Sequence, residues 1–288
     1  MSNRTALGYR EGLLSAQDGL ALYYRDYGDP LSRRTPVLCL TGLSRNSKDY
    51  HEVALRLSRD RRVLCPDYRG RGRSAYDPDW RNYQPTTYIN DMRHLLAATN
   101  VHRVVVMGTS LGAFLAMGLA VLAPSVVAGA VLNDAGPEVN SGGLDRILDY
   151  VSVDKPLADW AAAIARMREI FPQLSFADPA DWRRAAEKMF KEGPDGRLHV
   201  DWDVRLAEPL RRSKSALPAL WPLFRALGDR PVLALRGALS DILLPATLEA
   251  MGRSLPRIAC VTVPGVGHTP TLLEPISVEA LDAYFAQI

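Results

Sequence analysis

The apolar residues of this chain fall into short continuous runs, and the segments between these runs have the apolar spacing of helices. A run that is apolar throughout, rather than at alternate positions, is typical of a parallel strand covered on both faces. Six such runs predict buried strands, over residues 36–40, 62–65, 101–107, 127–132, 231–235 and 257–263. The strand–helix alternation predicts an α/β fold with a doubly wound, mostly parallel sheet.

Two segments depart from this alternation. Residues 12–17 and 20–27 have β-like patterning and flank Asp18-Gly19, a strong tight-turn dipeptide, so they predict a hairpin. Between about residues 137 and 227 there is no convincing strand and there are several helical patterns. The sequence therefore predicts a core domain of residues 1–136 and 228–288 with a helical cap inserted at 137–227.

The strongest chemical signal is Gly108-Thr109-Ser110-Leu111-Gly112, a G-x-S-x-G pattern. Such a pattern also arises by chance in turns rich in Gly and Ser. Here it follows the predicted strand 101–107 and opens an Ala/Leu-rich helix, which is the context of a nucleophile elbow. The sharp turn lifts the Ser hydroxyl above the strand ends and requires small residues on either side. We therefore expect Ser110 to be a nucleophile.

A Ser nucleophile needs a general base and an acid that orients it. His268 is the candidate base because it lies in a glycine-containing turn after a Val-rich strand; the other histidines fall in predicted helices, at a strand start or in the insertion: His51, His94, His102 and His199. Asp241 is the first candidate for the acid, because it follows the strand 231–235 and completes the chain order Ser, Asp, His. Asp134, at the end of the strand 127–132, is the rival, and it could equally cap a helix or anchor the insertion.

An oxyanion formed at Ser110 would need two backbone donors. The Leu111 N–H at the start of the following helix is one candidate. The second is the Leu43 N–H, in the turn Thr41-Gly42-Leu43-Ser44 after the first buried strand.

These motifs together resemble those of the α/β-hydrolase superfamily along nearly the whole chain. The turn after the first buried strand resembles the family's His-Gly-x segment, with Thr41 where His is usual. PDYRGRGRS resembles its D-x-R-G-x-G-x-S turn, and RGALSDILLP and GVGHTPTLLEP resemble the segments that carry its acid and its His. The resemblance implies an α/β-hydrolase fold of the capped branch, and Ser rather than Asp at position 110 argues against its epoxide hydrolases and dehalogenases.

The expected function is therefore that of a serine hydrolase acting on a small to medium, partly apolar carboxylic ester or lactone through an acyl-enzyme. The alternatives are a C–C bond hydrolase of the diketone type and a receptor-like protein with slow turnover. Three Trp of the insertion, Trp160, Trp182 and Trp221, are candidates for an apolar substrate pocket, although they could simply pack the cap helices together. We expect no cofactor and no metal.

Composition and net charge limit the kinds of partner that are expected to bind this chain. The 288 residues carry 35 basic and 32 acidic side chains, so the net charge of +3 does not indicate a nucleic-acid or membrane-surface partner.

Residues 111–132 form an uncharged stretch long enough to span a bilayer, but Pro124-Ser125 divides it, so a buried helix and a strand are expected instead. Each of the three Cys lies in an apolar run and is expected to be a buried thiol. A cytoplasmic protein without a secretory signal, binding a small-molecule substrate and possible as a homodimer, is the expectation.

Overall fold

A computed structural model describes residues 7–171, 174, 178–212 and 220–288 of the chain. An eight-stranded sheet runs through its centre. Its strands are β1 (Tyr9–Ser15), β2 (Ala21–Tyr27), β3 (Val37–Leu40), β4 (Val63–Pro66), β5 (Val104–Thr109), β6 (Val127–Asn133), β9 (Val232–Gly237) and β10 (Ile258–Val263). The sheet order is β1-β2-β4-β3-β5-β6-β9-β10. All pairs from β4 to β10 are parallel and the β1–β2 and β2–β4 pairs are antiparallel, which confirms the predicted mostly parallel sheet.

The strands at the centre of the sheet are apolar because helices cover both faces. All four residues of β3 and of β4, and all seven of β6, are buried. The helices of this layer are α1 (His51–Leu57), α2 (Pro85–Ala98), α3 (Leu111–Leu122), α9 (Pro245–Ser254) and α10 (Pro275–Phe285). Proline stands in the first turn of α2, α9 and α10, where its missing N–H leaves no helical hydrogen bond unmade.

The segment between β6 and β9 is mostly helical, as expected. It contains α4 (Ser141–Val151), α5 (Trp160–Ile170), α6 (Pro179–Met189), α7 (Glu208–Arg212) and α8 (Trp221–Arg225). The expectation that it holds no strand is wrong, because β7 (Phe190–Glu192) and β8 (Leu198–Val200) form a small antiparallel sheet. These strands are only three residues long, and a pattern that short does not distinguish a strand from a helix end. The proposed domain boundary at 137–227 stays a prediction.

The uncharged stretch 111–132 becomes α3 and β6, both in the core. Within the described ranges, no helix is long and apolar enough to cross a membrane. Two of the three cysteines, Cys39 and Cys65, are buried as expected. Cys260 is exposed instead, because β10 is an edge strand with one side left uncovered.

Candidate active site

Ser110 lies between the end of β5 and the start of α3, and its backbone has a conformation that is unusual for a side-chain-bearing residue. Its φ is 53° and its ψ is −114°. Non-glycine residues rarely adopt such a φ unless the surrounding structure holds them there. One such restraint is the hydrogen bond from the Ser110 N–H to the carbonyl oxygen of Asn133 on β6, at 3.0 Å. The turn projects the hydroxyl group of Ser110 beyond the sheet.

The two glycines of the G-x-S-x-G motif are required by close backbone contacts. A β-carbon on Gly108 would lie 2.2 Å from the Gly112 carbonyl group. A β-carbon on Gly112 would lie 2.0 Å from the carbonyl oxygen of Leu40 at the end of β3. Two heavy atoms that are not bonded to each other cannot approach this closely. Strand β5, helix α3 and strand β3 can therefore meet this closely only because both positions lack a side chain.

His268 bridges Ser110 and Asp134. Its Nε2 is 3.0 Å from the Ser110 Oγ, and its Nδ1 is 2.7 Å from the Asp134 Oδ2. The other carboxylate oxygen of Asp134 accepts a hydrogen bond from the Gly237 N–H at 2.9 Å. The His268 side chain is 8% exposed and the Asp134 side chain is fully buried. This geometry suits an imidazole that carries its proton on Nδ1 and accepts the hydroxyl proton of Ser110 at Nε2.

The expectation that Asp241 orients His268 is wrong for this structure. Both Asp241 carboxylate oxygens instead accept hydrogen bonds from the guanidinium of Arg146 on α4, each at 2.9 Å. These hydrogen bonds lower the pKa of the Asp241 carboxyl group, and its side chain is 41% exposed at the edge of the site. Asp134, the alternative candidate from the sequence, occupies the place beside the imidazole where Asp241 was expected.

Strand register explains why Asp134 takes this place. In the β5–β6 pair Thr109 is opposite Asn133, so the next residues, Ser110 and Asp134, leave the sheet at the same level. In the β6–β9 pair Asn133 is opposite Leu235, so β9 continues past the level of Asp134 before it reaches Gly237 and the loop to Asp241. The aspartate that follows the strand next to Ser110 is therefore the one beneath His268.

The candidate oxyanion loop, residues 41–45, is held from beneath by buried polar groups. The Tyr68 hydroxyl donates to the Thr41 carbonyl oxygen at 3.2 Å, and the Arg71 Nε donates to the Leu43 carbonyl oxygen at 2.6 Å. The Thr41 hydroxyl closes the loop by donating to the Arg45 carbonyl oxygen at 3.1 Å. Thr41 therefore supports the loop with a hydrogen bond where the family pattern has an imidazole ring.

The backbone amides of Leu43 and Leu111 are the two expected oxyanion donors. Leu111 is the first residue of α3, where the N–H groups have no partner within the helix. Across the described part of the chain, neither amide donates a hydrogen bond to another protein group. Both amides therefore remain available to an oxygen atom bound beside Ser110.

Ser110 and His268 open into a cavity of about 600 Å³. Apolar side chains from the loops and from the insertion form much of its wall: Leu43, Ile147, Met167, Phe171, Leu174, Leu272 and Leu273. Trp160, Trp182 and Trp221 are not among the described lining residues, so the expectation that they form the pocket is wrong. Trp160 and Trp182 lie beneath the guanidinium groups of Arg183 and Arg168, and the Trp221 Nε1 donates to Glu138 at 2.6 Å.

Comparison with known proteins identifies the family. The model of the alpha/beta hydrolase family matches residues 37–280. This chain belongs to the α/β hydrolase family. A relative from Cupriavidus necator named 3-hydroxybutyrate-oligomer hydrolase is 35% identical over 91% of this chain and 92% of its own length. A 2-(acetamidomethylene)succinate hydrolase from Mesorhizobium japonicum is 27% identical and covers 83% of each chain.

Solved structures of other α/β hydrolases superpose closely on this one. An α/β hydrolase from Novosphingobium aromaticivorans is 41% identical with a TM-score of 0.90, covering 98% of this chain and 99% of its own. A structure of E-2-(acetamidomethylene)succinate hydrolase is 25% identical with a TM-score of 0.82, covering 96% and 99%. These relatives support hydrolase activity for this member of the family.

Sequence reasoning about this α/β hydrolase missed the contacts that support the site from beneath. The Asn133 Nδ2 donates to the Thr109 Oγ1 at 3.1 Å and to the Pro270 carbonyl oxygen at 2.9 Å, which ties the His268 loop to β6. The Tyr50 hydroxyl is 2.7 Å from the same Thr109 Oγ1, and burial raises the pKa of this hydroxyl well above its usual value. A usable signal was present, because Thr109 and Asn133 both lie at strand ends next to candidate catalytic residues.

Proposed function

We propose that this protein is a serine hydrolase that cleaves a carboxylic ester, with Ser110 as nucleophile, His268 as general base and Asp134 as the acid. The observation that supports it most directly is the continuous contact from the Asp134 carboxylate through the imidazole to the Ser110 hydroxyl, inside a cavity large enough for a small substrate. This replaces the expected Asp241 with Asp134.

The reaction runs in two halves. His268 takes the hydroxyl proton as Ser110 attacks the ester carbonyl carbon, and the negative oxygen that forms is stabilised by the amides of Leu43 and Leu111. His268 then gives the proton to the departing alcohol oxygen, which leaves an acyl group on Ser110. Water, deprotonated by His268, attacks the acyl group and releases the acid. Each oxyanion donor contributes roughly 3–4 kcal/mol in comparable sites.

The substrate class that we propose is a short oligoester of a hydroxy acid. The 35% identical relative is named for 3-hydroxybutyrate oligomers, and it covers nearly the same length. A wall of aliphatic and aromatic side chains suits the methyl-bearing carbon chain of such a substrate. The expected small to medium, partly apolar ester is thereby narrowed to one that carries both ester and carboxylate groups.

The test is turnover of p-nitrophenyl butyrate and of the 3-hydroxybutyrate dimer, followed by labelling with an organophosphate and peptide mapping. We expect the label on Ser110, and loss of turnover in Ser110→Ala and His268→Gln. His102→Gln is the matched control, because this exposed imidazole is hydrogen-bonded to Asn100 and does not line the cavity, so its replacement should leave turnover unchanged. A label on another residue, or no ester turnover, would contradict the proposal. Cleavage of a vinylogous diketone without ester turnover would favour a C–C hydrolase, and ligand binding without turnover a receptor.

A further inference from the structure

The side chain of Arg45 begins close to Ser110, the candidate nucleophile. It ends the candidate oxyanion loop and lines the same cavity as Ser110 and His268. A β-carbon built on Gly42 would lie 3.5 Å from the Arg45 Cγ and 3.7 Å from the Ser110 Cβ, so the two side chains lie on the same side of the loop. A carbonyl carbon bound at Ser110 would therefore lie in the same part of the cavity as the side chain of Arg45.

Asp49 holds only one edge of this guanidinium. Its carboxylate oxygens accept from the Arg45 Nε and Nη2, both at 2.7 Å. Arg carries five N–H donors in a planar fork. Among the described residues, the Arg45 Nη1 has no hydrogen-bond partner, so the edge formed by Nη1 and Nη2 keeps donors that can bind a carboxylate in bidentate fashion. Asp49 thus fixes the plane of the group and leaves a recognition edge open.

The other cations of the cavity are less suited to this task. The Lys188 Nζ is bonded to Glu52 at 2.9 Å, and Arg184 is paired with Asp181. The Arg184 side chain is 55% exposed, whereas that of Arg45 is 21% exposed. A charge-assisted hydrogen bond is stronger where water is largely excluded. Lys188 is 23% exposed, about as much as Arg45, but it lacks the planar fork that binds a carboxylate in bidentate fashion, so Arg45 is the cation best suited to a carboxylate.

We propose that Arg45 binds the free carboxylate of the substrate and directs cleavage to the ester bond nearest that carboxylate. This inference rests on the proposed ester hydrolysis. In a 3-hydroxybutyrate oligomer, only the ester oxygen and two carbons separate the last ester carbonyl from the terminal carboxylate. Arg45 and Ser110 lie side by side, which suits a group with this short span. The chemical steps are unchanged, and the first product released is the hydroxy-acid monomer that carried the carboxylate.

The first experiment needs no variant. The wild-type protein is given the 3-hydroxybutyrate tetramer, isotopically labelled in the unit that carries the carboxylate, as free acid and as methyl ester, and the earliest products are separated by mass. We expect labelled monomer and unlabelled trimer from the free acid and slower, less selective cleavage of the methyl ester. Equal amounts of dimer from both substrates, or equal rates on both, would overturn the role of Arg45 and leave ester hydrolysis intact. Absence of cleavage of any ester would instead overturn the proposed function.

The second experiment measures kcat/KM for the free-acid dimer divided by kcat/KM for its methyl ester. We expect this ratio to fall roughly tenfold or more in Arg45→Gln, because a hydrogen bond to a charged group is lost. Arg45→Lys should recover part of the ratio, since a lysine supplies the charge without the bidentate fork. Arg184→Gln is the matched control and should keep the wild-type ratio. An unchanged ratio in Arg45→Gln would refute the proposal, because a purely structural role would lower both rates equally and leave the ratio as in wild type.

Discussion

The two candidate acids can be separated by replacing each carboxylate with an amide of the same shape. In Asp134→Asn, the side chain must still serve two fixed partners, the Gly237 N–H at 2.9 Å and the His268 Nδ1 at 2.7 Å. If the amide oxygen stays with Gly237, the NH₂ group faces Nδ1, and the imidazole must carry its proton on Nε2. That tautomer points a donor at the Ser110 hydroxyl and cannot accept its proton.

The opposite amide orientation is also costly. It places the NH₂ group against the Gly237 N–H in a fully buried site, where an unsatisfied donor costs about 1–3 kcal/mol. Asp134→Asn therefore favours the unproductive tautomer. Loss of the acid's charge with its shape retained lowers kcat by about 10⁴ in a serine triad, which corresponds to about 5.5 kcal/mol in activation free energy. We expect a loss of this order.

Asp241→Asn should behave very differently. It weakens a pair with Arg146 that is about 40% exposed on the Asp241 side, and exposed ion pairs contribute about 0–1 kcal/mol. We expect kcat on p-nitrophenyl butyrate to stay within about fivefold of wild type, with a small decrease in Tm. Circular dichroism and Tm of both variants confirm that they are folded. A collapse of kcat in Asp241→Asn, with Asp134→Asn still active, would refute the assignment of Asp134.

Two further predictions concern stability. Gly112→Ala should lower Tm and the yield of folded protein, because the added methyl group would lie 2.0 Å from a carbonyl oxygen of β3. In the control Gly142→Ala the added methyl group has its nearest neighbouring atom at 3.9 Å, so Tm should stay at or above that of wild type. An equal loss of Tm in both variants would contradict the contact argument. The pKa of His199 is raised by hydrogen bonds to Asp154 and Asp195. Its contribution to stability is therefore fully present below pH 6.5 and lost as the pH rises through the folded-state value. As the pH is raised through that range, Tm should fall less in His199→Gln than in wild type. An equal fall of Tm in both proteins would show that this imidazole is not the titrating group.

The nucleophile elbow could be predicted from the sequence because its parts are adjacent in the chain. A buried strand, two glycines, a serine and the start of an apolar helix all lie within residues 104–122. Their steric requirements are local, since the glycines allow the backbone contacts and the turn presents Ser110. His268 could be chosen because it alone among the five histidines occupies a turn after a strand on the carboxyl side of the sheet.

The candidate acid, in contrast, depends on contacts between distant parts of the chain. Asp134 and His268 are 134 residues apart, and Asp134 meets Gly237 across a separation of 103 residues. The register of β5, β6 and β9 puts Asp134 level with Ser110, and the hydrophobic packing of both sheet faces determines that register. No local pattern distinguishes an aspartate after β6 from one after β9.

The sequence by itself therefore determined the family, the sheet and the residues presented by single turns, because backbone sterics and hydrophobic periodicity act over short segments. Only the tertiary structure decided the partner of His268, the apolar lining of the cavity and the ion pair between Arg146 and Asp241. Each of these requires side chains from separate elements to meet. Their distances are set by strand register and by the packing of the segment between β6 and β9 around the cavity of Ser110, which no single segment encodes.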